Sequence, residues 1–87
     1  MIMSGSSGGE VLKTGSKGAA VTTLQEQLNK FGYGLTVDGH FGDATHGAVV
    51  HVQKSFGYTV DGMVGPGTQA LITQQLGYNW TKDKPTK

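Results

Sequence analysis

The chain has 87 residues, enough for one small domain, and no cysteine, which excludes a disulfide scaffold and cysteine-ligated metal. Its net charge is +1, and only 15% of its residues are charged. We therefore expect no basic surface that could bind a phosphate backbone, and no nucleic-acid partner. No apolar run is long enough to span a bilayer, and the first ten residues lack the features of a signal peptide, so no membrane partner is expected.

The amino-terminal part of the sequence predicts a linker followed by a helix. Residues 1–9, rich in Gly and Ser, are typical of a flexible linker or an expression remnant. Ser16 is the predicted N-cap of a helix that begins near Lys17 and ends at Gly32. Its apolar residues recur at helical spacing and should face inward, whereas Gln25 falls on the opposite, polar face with Thr22, Glu26, Asn29 and Lys30.

A ten-residue stretch, 36–45, returns as residues 59–68. Each copy consists of an extended Thr-Val pair, an Asp-Gly turn, one apolar residue before a glycine, and the start of a helix. A repeated unit in so short a chain predicts one supersecondary element used twice, with the copies packed on each other. We expect Asp38 and Asp61 to bond the backbone of their own turns, which we rank above a catalytic carboxylate pair.

The second helix is predicted from about Asp43 to Phe56, and the third from Pro66 to about Leu76, with Gly77 as its stop. The fold class is therefore mainly α, a compact three-helix domain with two repeated short strand-turn elements, spanning residues 10–80. Residues 81–87 form a polar tail that we expect to be mobile unless Trp80 docks on the body. The predicted core is Val21, Leu24, Leu28, Phe31, Leu35, Val37, Phe41, Val49, Val52, Phe56, Val60, Val64, Leu71 and Ile72.

Several motifs together resemble the peptidoglycan-binding domain type 1 family, a three-helix module of bacterial and phage cell-wall hydrolases. The resemblance covers residues 11–76, and two departures from the usual pattern are Val52 in place of Phe and Asp43 in place of Pro. Its carriers are Val21-x-x-Leu24-Gln25-x-x-Leu28-Asn29, Val37-Asp38-Gly39-x-Phe41-Gly42-x-x-Thr45-x-x-Ala48-Val49-x-x-Val52-Gln53-Lys54 and Val60-Asp61-Gly62-x-Val64-Gly65-Pro66-x-Thr68.

The resemblance implies a non-catalytic, endolysin-like targeting module that binds peptidoglycan, through the glycan, the stem peptide or both. It implies a covalently linked lytic or remodelling domain in the parent protein, and an extracellular or cell-wall location, with a phage-encoded lysin as a variant. We expect a monomer. The alternative hypothesis is a protein–protein docking module of a cell-wall, spore or phage assembly.

The candidate ligand-binding residues surround the two turns and the start of the second helix. Aromatic rings can stack on sugars, and carboxylates or imidazoles can accept or donate bonds to hydroxyls and amides. Gln25 and Gln53 recur in the helices, and we rank bonding of turn backbones above ligand contact for both. The candidates are Tyr33, Asp38, His40, Asp43, Tyr58 and Asp61.

No catalytic, metal or cofactor site is predicted. Ser16 and Ser55 lack the setting of a nucleophile, and the glycines lack the spacing of a nucleotide-binding loop. His46 and His51 are five residues apart, which is not the spacing of paired zinc ligands on a helix. We therefore expect no enzyme activity from this chain.

Overall fold

The computed structural model describes residues 11–83, which form three helices: α1 (Ala19–Lys30), α2 (Asp43–Ser55) and α3 (Pro66–Gly77). The predicted mainly α fold class is confirmed. Within residues 11–83 the extended pieces form two isolated antiparallel bridges, Leu12 with Val64 and Lys17 with His40, and no strand. The bridges stay single because the two ends of one short amino-terminal segment pair with different turns. The prediction for residues 1–9 lies outside the described range.

All three helices begin at a glycine that makes no side-chain capping bond: Gly18, Gly42 and Gly65. The prediction of Ser16 as the first N-cap was wrong. Its hydroxyl instead accepts the N–H of Lys13 at 3.1 Å, which closes the turn before the helix. Gly18 follows with φ 118°, a conformation that residues with a Cβ rarely adopt, and α1 starts after it. No helix among the described residues is long and apolar enough to cross a membrane.

All three helices end in the same Schellman motif, in which a left-handed residue is followed by an aromatic residue whose N–H returns to the last turn. The left-handed residues are Gly32, Gly57 and Asn79. The aromatic residues are Tyr33, Tyr58 and Trp80, whose N–H groups donate to the carbonyls of Leu28, Gln53 and Gln75. The prediction that Gly77 stops α3 was wrong, since the left-handed residue is Asn79, two positions later.

The core lies where the three helices meet and contains most of the residues predicted for it. Val37 and Val60 were wrongly predicted to be in the core: they are 41% and 46% exposed. Each turn directs its backbone inward, so the preceding valine faces solvent. Leu12 and Ala48 also belong to the core.

Trp80 closes the carboxyl-terminal end of the core. It is 5% exposed, and its ring packs edge-on against Phe31 at 5.1 Å and tilted against Phe56 at 5.0 Å. Beyond it, the N–H of Lys82 donates to the carbonyl of Phe31 at 2.8 Å. The indole therefore docks on the body, and the chain stays against the body as far as Lys82. The start of a polar tail at residue 81 stays a prediction.

Candidate functional site

The first turn, residues 36–41, is held by one glutamine from α1. Gln25 is 1% exposed, and its Nε2 donates to Asp38 Oδ1 at 3.1 Å, to the His40 carbonyl at 2.9 Å and to Thr45 Oγ1 at 3.1 Å. Its Oε1 accepts the N–H groups of Asp38 and Gly39 at 3.1 and 2.9 Å. One buried amide thus links α1, the turn and the first helical turn of α2.

The second turn, residues 59–64, repeats this network with Gln53 of α2. Gln53 Nε2 donates to Asp61 Oδ1 at 2.9 Å, to the Met63 carbonyl at 2.9 Å and to Thr68 Oγ1 at 3.2 Å. Its Oε1 accepts the N–H of Gly62 at 3.0 Å. Gln53 therefore connects α2 to the start of α3 in the way that Gln25 connects α1 to the start of α2.

The inward position of Gln25 corrects its assignment to the polar face, and the preferred role of both glutamines, bonding turn backbones, is confirmed. Helical spacing alone placed Gln25 beside Glu26 and Asn29, but it shares its burial with Leu24 and Leu28. The recurrence of Gln before each Asp-Gly turn was the sequence signal for this buried pair. Burial of an amide is tolerated here because its polar atoms are bonded.

Both turn aspartates also bond their own backbone, as expected. Oδ1 of Asp38 accepts the N–H of His40 at 2.9 Å, and Oδ1 of Asp61 accepts the N–H of Met63 at 3.0 Å. These backbone N–H groups first, and the glutamine amides second, hold the pKa of both carboxyls below the ordinary aspartate value. Both side chains are exposed and ionised at neutral pH. In both aspartates, the backbone N–H and the glutamine amide donate to the same oxygen, Oδ1.

The same amino-terminal segment pairs with both turns. Leu12 exchanges two backbone hydrogen bonds with Val64, at 3.0 and 2.8 Å. Farther along, the N–H of Gly18 donates to Gly39 and the N–H of Phe41 donates to Ser16, at 3.0 and 2.9 Å. The two turns are therefore fixed relative to each other through residues 12–18.

The remaining predicted ligand residues lie at different depths. Tyr33 is half-buried, with its hydroxyl 2.6 Å from His51 Nδ1 on α2, and burial raises the pKa of Tyr33 to about 12. Tyr58 is 42% exposed, and His40 and Asp43 are exposed. The structure places His40 on the first turn with Asp38 and places Asp43 in the first turn of α2. Tyr33 and Tyr58 occupy equivalent positions after their helices, and Tyr33 is joined to His51, a contact that the sequence did not indicate.

A concave surface lies between α1 and α3, and we call it the α1–α3 groove. It has a volume of about 750 Å³. Sequence reasoning did not identify this groove, since its walls come from the outward faces of two helices. Its lining residues are Leu12, Ala20, Thr23, Val64, Gly65, Pro66, Gln69, Ala70, Thr73 and Gln74.

Histidine, aspartate and glutamate do not cluster in the described part of the chain. Among residues 11–83, no three such side chains are grouped so that they could hold a metal ion. His46 lies instead against the second turn, where its imidazole covers the backbone of Gly62 so closely that a Cβ there would overlap it. This histidine fills space over a glycine, as the Thr22 hydroxyl does over Gly39 of the first turn.

Three helices joined in order by two glutamine-bonded Asp-Gly turns define a class of small duplicated helical domain. A family model described as "Putative peptidoglycan binding domain" matches residues 17–72, a range that contains both turns and both glutamines. The chain belongs to this family of peptidoglycan-binding domains, and the resemblance predicted from the sequence is confirmed.

Relatives and solved structures agree with this assignment. The chain is 41% identical over 71 residues to a probable N-acetylmuramoyl-L-alanine amidase of Bacillus licheniformis, covering 78% of this chain and 20% of the relative. It is 38% identical over 71 residues to a spore cortex-lytic enzyme of Halalkalibacterium halodurans, covering 80% of this chain and 22% of that relative. The crystal structure of the SleB N-terminal domain matches with a TM-score of 0.74 and 35% identity, covering 77% of this chain and 93% of that one. The chain thus spans about a fifth of the length of the curated relatives.

Proposed function

We propose that this chain binds bacterial cell-wall peptidoglycan without cleaving it and holds an attached lytic or remodelling domain on the wall. The observation that carries the proposal is the family match over residues 17–72, together with the intact glutamine–turn networks inside that range. The relatives support the second half, because in two wall-directed enzymes a segment like this one makes up only a fifth of the length. Its place of action is the wall or the space outside the membrane.

The geometry of the turns supports a binding role over a catalytic one. A general acid or base needs a carboxyl whose pKa lies near the working pH, and a carboxyl with a lowered pKa stays ionised. Asp38 and Asp61 have lowered pKa values, and each uses Oδ1 to hold its own turn. Both carboxylates can still accept hydrogen bonds from a ligand at Oδ2, which suits hydroxyl and amide donors.

The proposed contact surface is the outer side of the two turns and the start of α2. It offers three carboxylates (Asp38, Asp43 and Asp61), the exposed His40, and the rings of Tyr33 and Tyr58. Such a shallow surface gives weak binding per contact, and attachment to a polymer with many sites raises the overall affinity. A monomer is sufficient for this role.

The test is co-sedimentation of the 87-residue chain with purified insoluble peptidoglycan. We expect the chain to pellet at moderate salt, and His40→Ala and Tyr58→Ala to lower the pelleted fraction. Glu26→Ala, which alters an exposed side chain of α1, serves as the control. A chain that stays wholly in the supernatant would refute wall binding, and soluble muropeptides released by the isolated chain would refute its non-catalytic role. Retention that requires a wall-associated protein would favour the docking alternative.

A further inference from the structure

The α1–α3 groove lies between the two helices that no Asp-Gly turn joins. The first turn joins α1 to the start of α2 through Gln25 and Thr45, and the second joins α2 to the start of α3 through Gln53 and Thr68. The sequence has no third Asp-Gly turn to join α3 to α1. These two helices are linked instead by a side-chain bond from Gln69 Nε2 to Gln27 Oε1, at 3.1 Å.

The groove has the size and lining of a ligand site. Its volume, about 750 Å³, falls within the roughly 300–1,000 Å³ of typical small-molecule pockets. Leu12 and Val64, 5% and 2% exposed, supply buried apolar side chains, and Pro66 adds an exposed apolar ring. Hydroxyl and amide groups complete the lining: Thr23, Gln69, Thr73 and Gln74.

None of the ten lining residues carries a charge. A charged ligand group entering this groove would lose hydration without meeting an opposite charge, which is unfavourable. A neutral amide with a methyl group fits better, because a glutamine amide can both donate to and accept from it while the methyl contacts the apolar residues. In peptidoglycan the N-acetyl groups of the glycan have this chemistry, whereas the stem peptide carries ionised carboxylates.

We infer that the α1–α3 groove is a second ligand site, separate from the turn surface, and that it takes an N-acetylhexosamine unit of the glycan. This inference rests on the proposed wall binding and specifies which part of the polymer the groove contacts. The acidic turn surface is left for groups that donate hydrogen bonds. One glycan strand then contacts the domain on two surfaces, and the groove selects for N-acetylation.

The experiment is NMR titration of the 87-residue chain with tri-N-acetylchitotriose, with its de-N-acetylated trimer and with a free stem tripeptide. We expect chitotriose to shift the backbone amides of Ala20, Thr23, Ala70 and Thr73 and the side-chain amide of Gln69. The de-N-acetylated sugar should bind roughly tenfold or more weakly, because it loses amide hydrogen bonds and buried methyl groups. Shifts confined to the turns, or caused by the tripeptide alone, would overturn the inference. So would shifts that depend only on protein concentration, since a second copy would then occupy the groove.

Two substitutions place a charge in the groove with little change to the helix: Ala70→Glu and Gln74→Glu. Each should weaken chitotriose binding by roughly tenfold or more, since the new carboxylate would be desolvated by the sugar. Lys30→Glu, an exposed residue at the end of α1 outside both the groove and the turn surface, is the charge-changing control and should bind as the parent does. Unchanged binding by both groove variants would overturn the inference. If the parent pellets with peptidoglycan yet ignores chitotriose, the groove assignment fails and wall binding stands; if it does not pellet, wall binding fails.

Discussion

Replacing Gln53 by leucine should be one of the most destabilising single changes in this domain. The substitution keeps the volume close to that of glutamine and removes four hydrogen bonds. Two of the groups left behind, the Gly62 N–H and the Thr68 hydroxyl, belong to buried residues and lose these bonds. Each such group costs about 1–3 kcal/mol, so the expected loss of unfolding free energy is roughly 2–6 kcal/mol.

This loss is a large share of the total, because a domain of this length has an unfolding free energy of roughly 4–13 kcal/mol. Urea unfolding followed by the fluorescence of Trp80, the single tryptophan of the chain, measures it directly. The matched control is Gln74→Leu, the same exchange at an exposed position of α3, which should change stability by less than about 0.5 kcal/mol. A Gln53→Leu loss below about 1 kcal/mol, with an unchanged urea dependence, would refute the view that this amide holds the turn.

Three further outcomes are expected. Gly57→Ala and Gly62→Ala both force alanine to φ 72°, but only the Cβ at position 62 overlaps a neighbour, His46. Gly62→Ala should therefore lower the unfolding free energy in urea more than Gly57→Ala does. Adding His46→Ala should recover part of that extra loss. Because the pKa of Asp38 is lowered in the folded state, the contribution of its carboxylate to stability is lost as pH falls below about 4. Asp38→Asn keeps an acceptor oxygen but does not titrate. This variant should therefore flatten the acid limb of the pH–stability curve. Trp80→Phe should lower the melting temperature by leaving a cavity between two aromatic rings; an unchanged value would contradict its docking role.

The sequence predicted the extent of the helices well, because most of their ends carry strong local signals. Gly32 ended the first helix as predicted, the second helix ended within one residue of its predicted end at Phe56, and Pro66 began α3 as predicted. The end of α3 was predicted to within one residue, but its left-handed residue is Asn79, because Gly77 was preferred to the asparagine two positions later. The aromatic residues on either side of that asparagine, Tyr78 and Trp80, repeat the Phe-Gly-Tyr pattern of the two earlier helix ends and would have identified it.

The inside of the turns could not be predicted from hydrophobicity, because a polar side chain organises it. Val37 and Val60 were predicted to be core residues on composition alone, yet the glycine of each turn is buried and the valine is exposed. The glutamine amide needs the turn backbone as its partner, so the backbone faces inward. The candidate binding residues on the outside of the turns stay predictions, since exposure alone does not distinguish a ligand contact from a solvated surface.

The duplicated network is present at two of the three helix junctions. Gln25 and Gln53 each fill the space between two consecutive helices with a turn, so those junctions are closed by satisfied polar groups. At the corresponding position of α3 stands Leu76, eight residues after Thr68 as Gln53 is eight after Thr45, and leucine cannot bond a turn. Leu76 packs against the core instead, and Gln69 of α3 donates a side-chain hydrogen bond to Gln27 of α1.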